Sequence, residues 1–325
     1  MVKYNVCFLN RFIPRTQIEP IKRAKGEIET RGYKWVIDGS EDITLFQGRL
    51  LQHQPFEEWL KQIKTPIIIL DSSDGVAFRY ADLFKHKRVI GYIKKQLLWD
   101  RELYKYDYVE DRYHFWLYAA TQRNKEAYQP KISNTQIDWD KVQLGWNLGV
   151  SNTVYDLLQK EIPQKDIDIH CSLRTGNNGS IIYEAHRKKC IRETFFNAQR
   201  YNLKVSEKAW FSQYYNQMAR SHIVMNAWGL GEVCLRHFEA AVLKCISISP
   251  PMGHIETWPD IFVDNETYIP CDINFQNLKY AYRTVFTNLK RFEGMTDKAY
   301  DIVKEANDNE AFADRFAGIM QRILK

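Results

Sequence analysis

The stretch His222–Ser249 (HIVMNAWGLGEVCLRHFEAAVLKCISIS) gathers the residue types in this chain best suited to chemistry. An apolar run leads into Gly229-Leu230-Gly231, and a helical pattern over Val233–Leu243 follows at once. A strand, a glycine corner and a helix start leave backbone N–H groups and the positive end of the helix dipole aimed at one spot, which suits an anion. Arg236 and Glu239 are three residues apart and share a helical face. A guanidinium presents fork-like donors to a diphosphate, and a carboxylate accepts both hydroxyls of a ribose. On an arbitrary helix the same spacing is a solvent-exposed ion pair. Here Leu235, Phe238, Ala240, Ala241 and Val242 surround the two residues, and that context favours a ligand grip.

A second group follows the apolar run Pro66–Leu70. The next residues are DSSDG, so Asp71 and Asp74 fall at the C-terminal edge of a parallel sheet, where α/β proteins place reactive groups. Either carboxylate could take a proton from an acceptor hydroxyl; both could equally cap the following turn. Lys94 and Lys95 close the run Arg88–Tyr92 and could meet a phosphate or begin a solvated helix. Trp146 and Asn147, near the domain junction, could line an acceptor site, or the indole could be buried at a domain edge. No D-x-D motif ends a strand: Asp166-Ile167-Asp168 enters one, and Asp138-Trp139-Asp140 lies in an unpatterned stretch. No obligatory metal is therefore expected, because arginines and a helix N-terminus can neutralise a diphosphate. The six cysteines lack C-x-x-C spacing and the histidines lack H-E-x-x-H, which reads as buried, reduced thiols.

The elements that must position these groups alternate between short apolar runs and helical patterns, the mark of an α/β chain with parallel sheets. Strands are expected at Tyr4–Leu9, Lys34–Ile37, Pro66–Leu70, Arg88–Tyr92 and Val142–Leu148, with helices at Ile18–Arg31 and Phe56–Ile63. Residues 100–134 are rich in Tyr and Trp and give no clear pattern. A second series starts with Ile167–Ser172, the loop RTGNNGS and a helix over Ile182–Arg200. A helix Ser206–Ala219 capped by Ser206 comes next, then strands at His222–Ala227, Cys245–Ser249 and Ile261–Val263, and helices from Phe275 onward. The reading is two domains, 1–150 and 151–325, facing a central cleft, with the last helix free to cross back to the first domain.

The chain has 325 residues, 45% of them hydrophobic and 26% charged, enough for two cores of ordinary size. The formal net charge of +6 suits an anionic small substrate or an acidic membrane surface, and is too small to argue for DNA. The basic runs IKRAKGEIETR, KHKR and HRKK read as solvated surface. The N-terminus is a poor secretory signal and no window approaches a membrane span, so a cytoplasmic protein, at most peripheral to a membrane, is expected.

The run LRHFEAAVLKCISIS resembles the nucleotide-binding signature of exostosin-like glycosyltransferases and of phage DNA β-glucosyltransferases, in which R-x-x-E on a helix precedes an apolar strand. Upstream, DIDIHCSLRTGNNGS is similar to the first strand and loop of the phage enzymes' C-terminal domain. The resemblance covers roughly residues 166–262. It implies a GT-B fold of two Rossmann-like domains and a Leloir transferase using a UDP- or GDP-linked sugar as substrate, with no further cofactor. It implies that Arg236 holds the diphosphate, that Glu239 holds the ribose, and that Gly229 and Gly231 shape the turn. Arg174, with Thr175 and Gly176 in the loop to Gly179, would neutralise the leaving diphosphate. Many retaining GT-B enzymes carry a second glutamate eight positions before the ribose-binding one. Here that position is Gly231, with Glu232 beside it, and R-x-x-E relatives lean towards inversion.

The function expected is transfer of a hexosyl or pentosyl group to a glycan or lipid-linked glycan, with modified DNA as a less favoured acceptor. Three other readings compete. A sugar-nucleotide epimerase would share the nucleotide grip, and a carbohydrate- or nucleic-acid-binding protein would have no chemistry. A dinucleotide dehydrogenase would need a third glycine at Cys234 and an acid after Ser249, where Pro250 and Pro251 stand.

Overall fold

A computed structural model describes residues 3–9, 17–36, 39–122, 125–148, 152–176, 180–207 and 211–325. The first half supplies β1 (Tyr4–Leu9), β2 (Tyr33–Val36), β3 (Ile43–Gln47), β4 (Ile67–Asp71) and β5 (Val89–Lys94). After the short β6 (Gln96–Leu98) and the antiparallel ribbon of β7 (Tyr106–Asp107) and β8 (Lys131–Ile132), β9 (Val142–Leu144) closes this sheet. Its order is β2-β1-β3-β4-β5-β9, all parallel. The run Ile67–Leu70 is entirely buried, as a sheet covered on both faces requires. Phe56 and Trp59 pack on one face with Phe46 and Ile69; Ile21, Ile28 and Trp146 pack on the other with Leu45 and Ile68.

The second half repeats the plan with β10 (Ile167–Ser172), β11 (Leu203–Ser206), β12 (Ser221–Met225), β13 (Ile246–Ser249), the short β14 (Ile255–Thr257) and β15 (Ile269–Pro270). Five of these form a parallel sheet in the order β11-β10-β12-β13-β15, while β14 pairs antiparallel with β6 of the first half. In both sheets the order reverses beside the first strand, at β1/β3 and β10/β12. Ligands of open α/β sheets bind at such points, beyond the C-terminal strand ends.

Several expected elements change. The segment Ile18–Arg31 is two short helices, Glu19–Arg23 and Lys25–Thr30. Ser206 ends β11 instead of capping a helix; its hydroxyl meets that of Ser172 at 2.6 Å, and the helix that follows covers Phe211–Ala219. Ile261–Val263 is a loop tied by Thr267, whose hydroxyl donates to the Ile261 carbonyl at 2.7 Å and accepts from the Val263 N–H at 2.9 Å. The strand expected over Val142–Leu148 stops at Leu144. Within residues 100–134 lie short 3₁₀ turns, the helix Tyr113–Ala120 and the β7–β8 ribbon. The boundary expected near residue 150 falls at 149–151, outside the described residues.

The last helix, Asn309–Ile323, lies against the first sheet's helices. Its Phe312, Phe316, Ile319 and Met320 join the cluster containing Val6, Ile21 and Tyr33, and Arg31 pairs with Glu310 at 2.7 Å and Asp314 at 2.6 Å. Among the described residues no helix is long and apolar enough to cross a membrane.

Candidate functional site

The C-terminal end of β10 carries Leu173, Arg174 and Thr175, and that of β12 carries the loop Asn226–Cys234, so both flank the reversal point of the second sheet. The helix Leu235–Val242 begins four residues after Gly231 rather than immediately, with Cys234 as its N-cap and the His237 ring accepting from the Cys234 N–H at 3.0 Å. The glycines serve close approach, since neither has a left-handed backbone. A Cβ on Gly229 would stand 2.5 Å from Cys234 Sγ, and one on Gly231 would stand 1.7 Å from the Asp74 carbonyl oxygen. Gly231 is therefore where the second half touches the loop after β4. Gly231→Ala forces backbone apart from backbone and is expected to lower stability by about 1–3 kcal/mol, read from the urea unfolding midpoint.

Two arginine side chains, Arg187 and Arg236, meet at this helix start, and the backbone of a third, Arg174, borders it. Arg187, from the helix Ile181–Asn197, donates through Nε to the Trp228 carbonyl at 3.0 Å and through Nη1 to the Arg174 carbonyl at 3.1 Å; its Nη2 lies 3.8 Å from Cys234 Sγ. Burial lowers its pKa, and among the described residues no carboxylate comes within ion-pair distance. Arg236 donates through Nε to the Tyr214 hydroxyl at 3.2 Å, while its buried Nη1 has no hydrogen-bond partner. Burial alone would lower the Arg236 pKa, but Tyr214, Cys234 and Glu239 together raise it. Arg174 itself is exposed, and its carbonyl also accepts from the Tyr183 hydroxyl at 3.1 Å. Thr175 donates to Glu207, Gly176 takes a left-handed backbone (φ 85°), and residues 177–179 lie outside the described residues.

Glu239 is buried, and its two carboxylate oxygens accept from Tyr214 at 2.9 Å and Tyr215 at 2.6 Å. Burial raises its pKa despite these donors. Each oxygen keeps a further lone pair. Beside the group stands His170 of β10, fully buried with both ring nitrogens unpartnered; burial and the charge of Arg236 push its pKa down to about 3. Glu232 faces the first half: it lies 2.9 Å from His114 Nδ1 and accepts from Gln96 at 2.7 Å. Burial would raise its pKa, but the His114 ring holds it down at about 2.

The two aspartates after β4 separate sharply. Asp71 is fully buried, accepting from Tyr92 at 2.7 Å, Lys94 at 3.0 Å and the Ser73 N–H at 2.8 Å. Such a carboxylate holds a sheet edge together and has no lone pair turned towards a cleft. Asp74 is accessible, with 44% of its side chain exposed, and Lys95 Nζ lies 3.1 Å away. Burial would raise the Asp74 pKa; Lys95 and the nearby Arg49 and Arg112 hold it below the usual range, so it is ionised at neutral pH.

The expected acceptor-side residues need correction. Lys94 is wholly buried and spends its three donors on Asp71, Ser73 and the Gly75 carbonyl; Lys95 is buried against Asp74. Trp146 is sealed under Phe312 and Phe316 with its indole N–H on the Gln17 carbonyl at 2.8 Å, and Asn147 ties the Lys95 carbonyl at 2.9 Å. None of these four can meet an incoming acceptor directly. What the sequence did not point to is a cavity of about 220 Å³ in the first half, reached by Ser73 and Gly75 on either side of Asp74 and walled by Phe78, Tyr104, Tyr108 and Arg112. Arg187 was also hidden, inside HRKK, yet Tyr183, Arg187, Cys190 and Thr194 recur at 4-3-4 spacing. An arginine in a buried helical stripe is the signal that singles it out.

The architecture is shared with solved structures of low sequence identity. A glycosyltransferase from Rickettsia africae ESF-5 superposes with a TM-score of 0.50 at 10% identity, covering 99% of each chain. An alpha-glucosyltransferase (AGT) in complex with UDP superposes with a TM-score of 0.52 at 10% identity, covering 98% of this chain and 100% of that one. The fold is GT-B. No family model and no curated protein matches the sequence. In a GT-B molecule the two sheets present their C-terminal edges to a shared cleft, and here the Asp74 loop of one half and the Gly231 loop of the other meet at that place.

Proposed function

We propose that this GT-B chain is a glycosyltransferase that moves a hexosyl or pentosyl group from a UDP- or GDP-linked donor to a hydroxyl of a glycan or lipid-linked glycan. The observation that supports the reading is the pair Arg187 and Arg236, two guanidiniums packed at one helix start with no carboxylate in ion-pair distance among the described residues, one of them with a buried N–H left unbonded. A diphosphate supplies the missing acceptors, and the helix end adds its own field. The resemblance of R-x-x-E to nucleotide-binding transferases and the UDP held by the similar AGT structure support the same ligand.

In this reading Tyr214 and Tyr215 orient Glu239, whose remaining lone pairs accept the ribose hydroxyls. Arg174, Arg187 and Arg236 neutralise the departing diphosphate in place of a metal, and donors preorganised where charge develops are worth a few kcal/mol. Asp74 takes the proton of the acceptor hydroxyl as its oxygen bonds to the anomeric carbon and the donor's C–O bond breaks, the electron pair leaving with the diphosphate. One attack from the face opposite the leaving group inverts the anomeric centre. The test is direct: UDP or GDP at 100 times its Kd is expected to stabilise the chain by about 2.7 kcal/mol, visible as a raised Tm. If neither nucleotide shifts the Tm at millimolar concentration, the reading loses its support.

A further inference from the structure

We infer that the cavity beside Asp74 seats an uncharged sugar ring of the acceptor, and not a nucleic-acid strand; this rests on the transferase reading above. Its walls are aromatic, with Phe78, Tyr104, Tyr106 and Tyr108 around the space. Phe78 and Tyr104 pack edge-on at 5.2 Å, and Trp139 meets both, at 5.7 and 5.2 Å, so this wall is braced rather than loose. Rigid aromatic faces match the C–H faces of a pyranose, whose hydroxyls then turn to the rim.

The rim is acidic. Asp107, Glu110 and Asp111 line the cavity against only Arg79 and Arg112. Arg112 is already committed, donating to the carbonyls of Leu230 and Glu110 at 2.5 and 2.6 Å. With Arg112 also set against Glu110 at 3.9 Å, Asp107 and Asp111 remain against Arg79 alone, so the lining is net negative. A polyanion binds by exchanging its counterions for lysines and arginines, and this lining cannot supply them. Carboxylates are instead pure acceptors that suit the hydroxyl donors of a neutral sugar. Glu110 and Asp111 both hold left-handed backbones (φ 54° and 57°), and Glu110 accepts from Ser180 of the second half at 3.0 Å. The acidic rim is therefore fixed in place by a contact between the two halves. Tyr106, 44% exposed on the β7–β8 ribbon opposite Ile132, extends the aromatic face outward, where a second ring of a glycan would lie.

The experiment is saturation-transfer NMR on the full chain, with and without UDP, using a panel of methyl hexopyranosides and a short DNA duplex as probes. At least one hexoside is expected to receive saturation, and Tyr106→Ala, a substitution at an exposed ring, should weaken its binding about five- to ten-fold with an unchanged Tm. The duplex should not bind at physiological salt. Absence of transfer to every hexoside in both conditions, transfer indifferent to Tyr106→Ala, or salt-sensitive duplex binding lost in Arg79→Glu would each overturn the inference. A Tm shift with UDP is read separately: UDP binding without hexoside binding sinks the sugar seat alone, whereas hexoside binding at Tyr106 without any nucleotide shift sinks the transferase reading and with it the acceptor role, leaving only a sugar-binding cavity.

Discussion

Arg236→Ala weakens nucleotide binding by about ten- to one hundred-fold, the loss of one charge-assisted contact worth about 1.5–3 kcal/mol. The expectation follows from the position of Nη1, buried and unbonded at the start of the helix Leu235–Val242. Isothermal titration with UDP and GDP measures it. The fold should survive, because the side chain makes only the 3.2 Å bond to Tyr214 and forms no ion pair within the described residues. Arg236→Lys should recover little, since an ammonium cannot span Tyr214 and a phosphate oxygen together. An affinity unchanged in Arg236→Ala would place the donor elsewhere.

Asp74→Asn lowers kcat by about one hundred- to ten thousand-fold while leaving nucleotide affinity intact, as loss of a general base without loss of a binding group should. The isosteric amide keeps the neighbouring shape but leaves the buried Lys95 ammonium without its counter-charge, so a urea melt of Asp74→Asn accompanies the kinetics and separates lost stability from lost turnover. Asp71→Asn gives the contrasting result: the buried Lys94 ammonium loses its counter-charge, and the chain destabilises by about 3–5 kcal/mol. Single-turnover kinetics for the first and a urea melt for the second separate base from brace. Wild-type turnover in Asp74→Asn would remove Asp74 from the mechanism.

That contrast also marks how far the sequence could be read. DSSDG announced two carboxylates at a sheet edge, but which one is buried depends on register: Asp71 sits opposite Lys94 of β5, twenty-three positions away, and Tyr92 reaches it from the same strand. No local pattern encodes that pairing. The motif around β12 and β13 was legible because strand, glycine corner and amphipathic helix are contiguous, and β10 was legible from the alternation of Ile167, Ile169 and Cys171. β3 escaped because ITLFQ runs on into GRLL, an apolar stretch with no turn residue but Gly48 to divide it. Ser206 looked like a helix cap because its hydroxyl is a cap's donor and acceptor, yet its partner is Ser172 on the adjacent strand. Lys94 and Lys95 looked solvated because lysine usually is; only the folded sheet brings the acceptors that let both be buried.

The helix Asn309–Ile323 has a mechanical consequence. Because it returns to the first sheet, the chain passes between the two halves twice, once after β9 and once before Asn309. A body tethered at two places turns like a door about the line through its tethers, so any opening that admits a nucleotide keeps one axis. Cutting the polypeptide between residues 306 and 309 would remove one of the two covalent tethers and leave the β6–β14 pairing and the contact of Gly231 with the Asp74 backbone to hold the alignment.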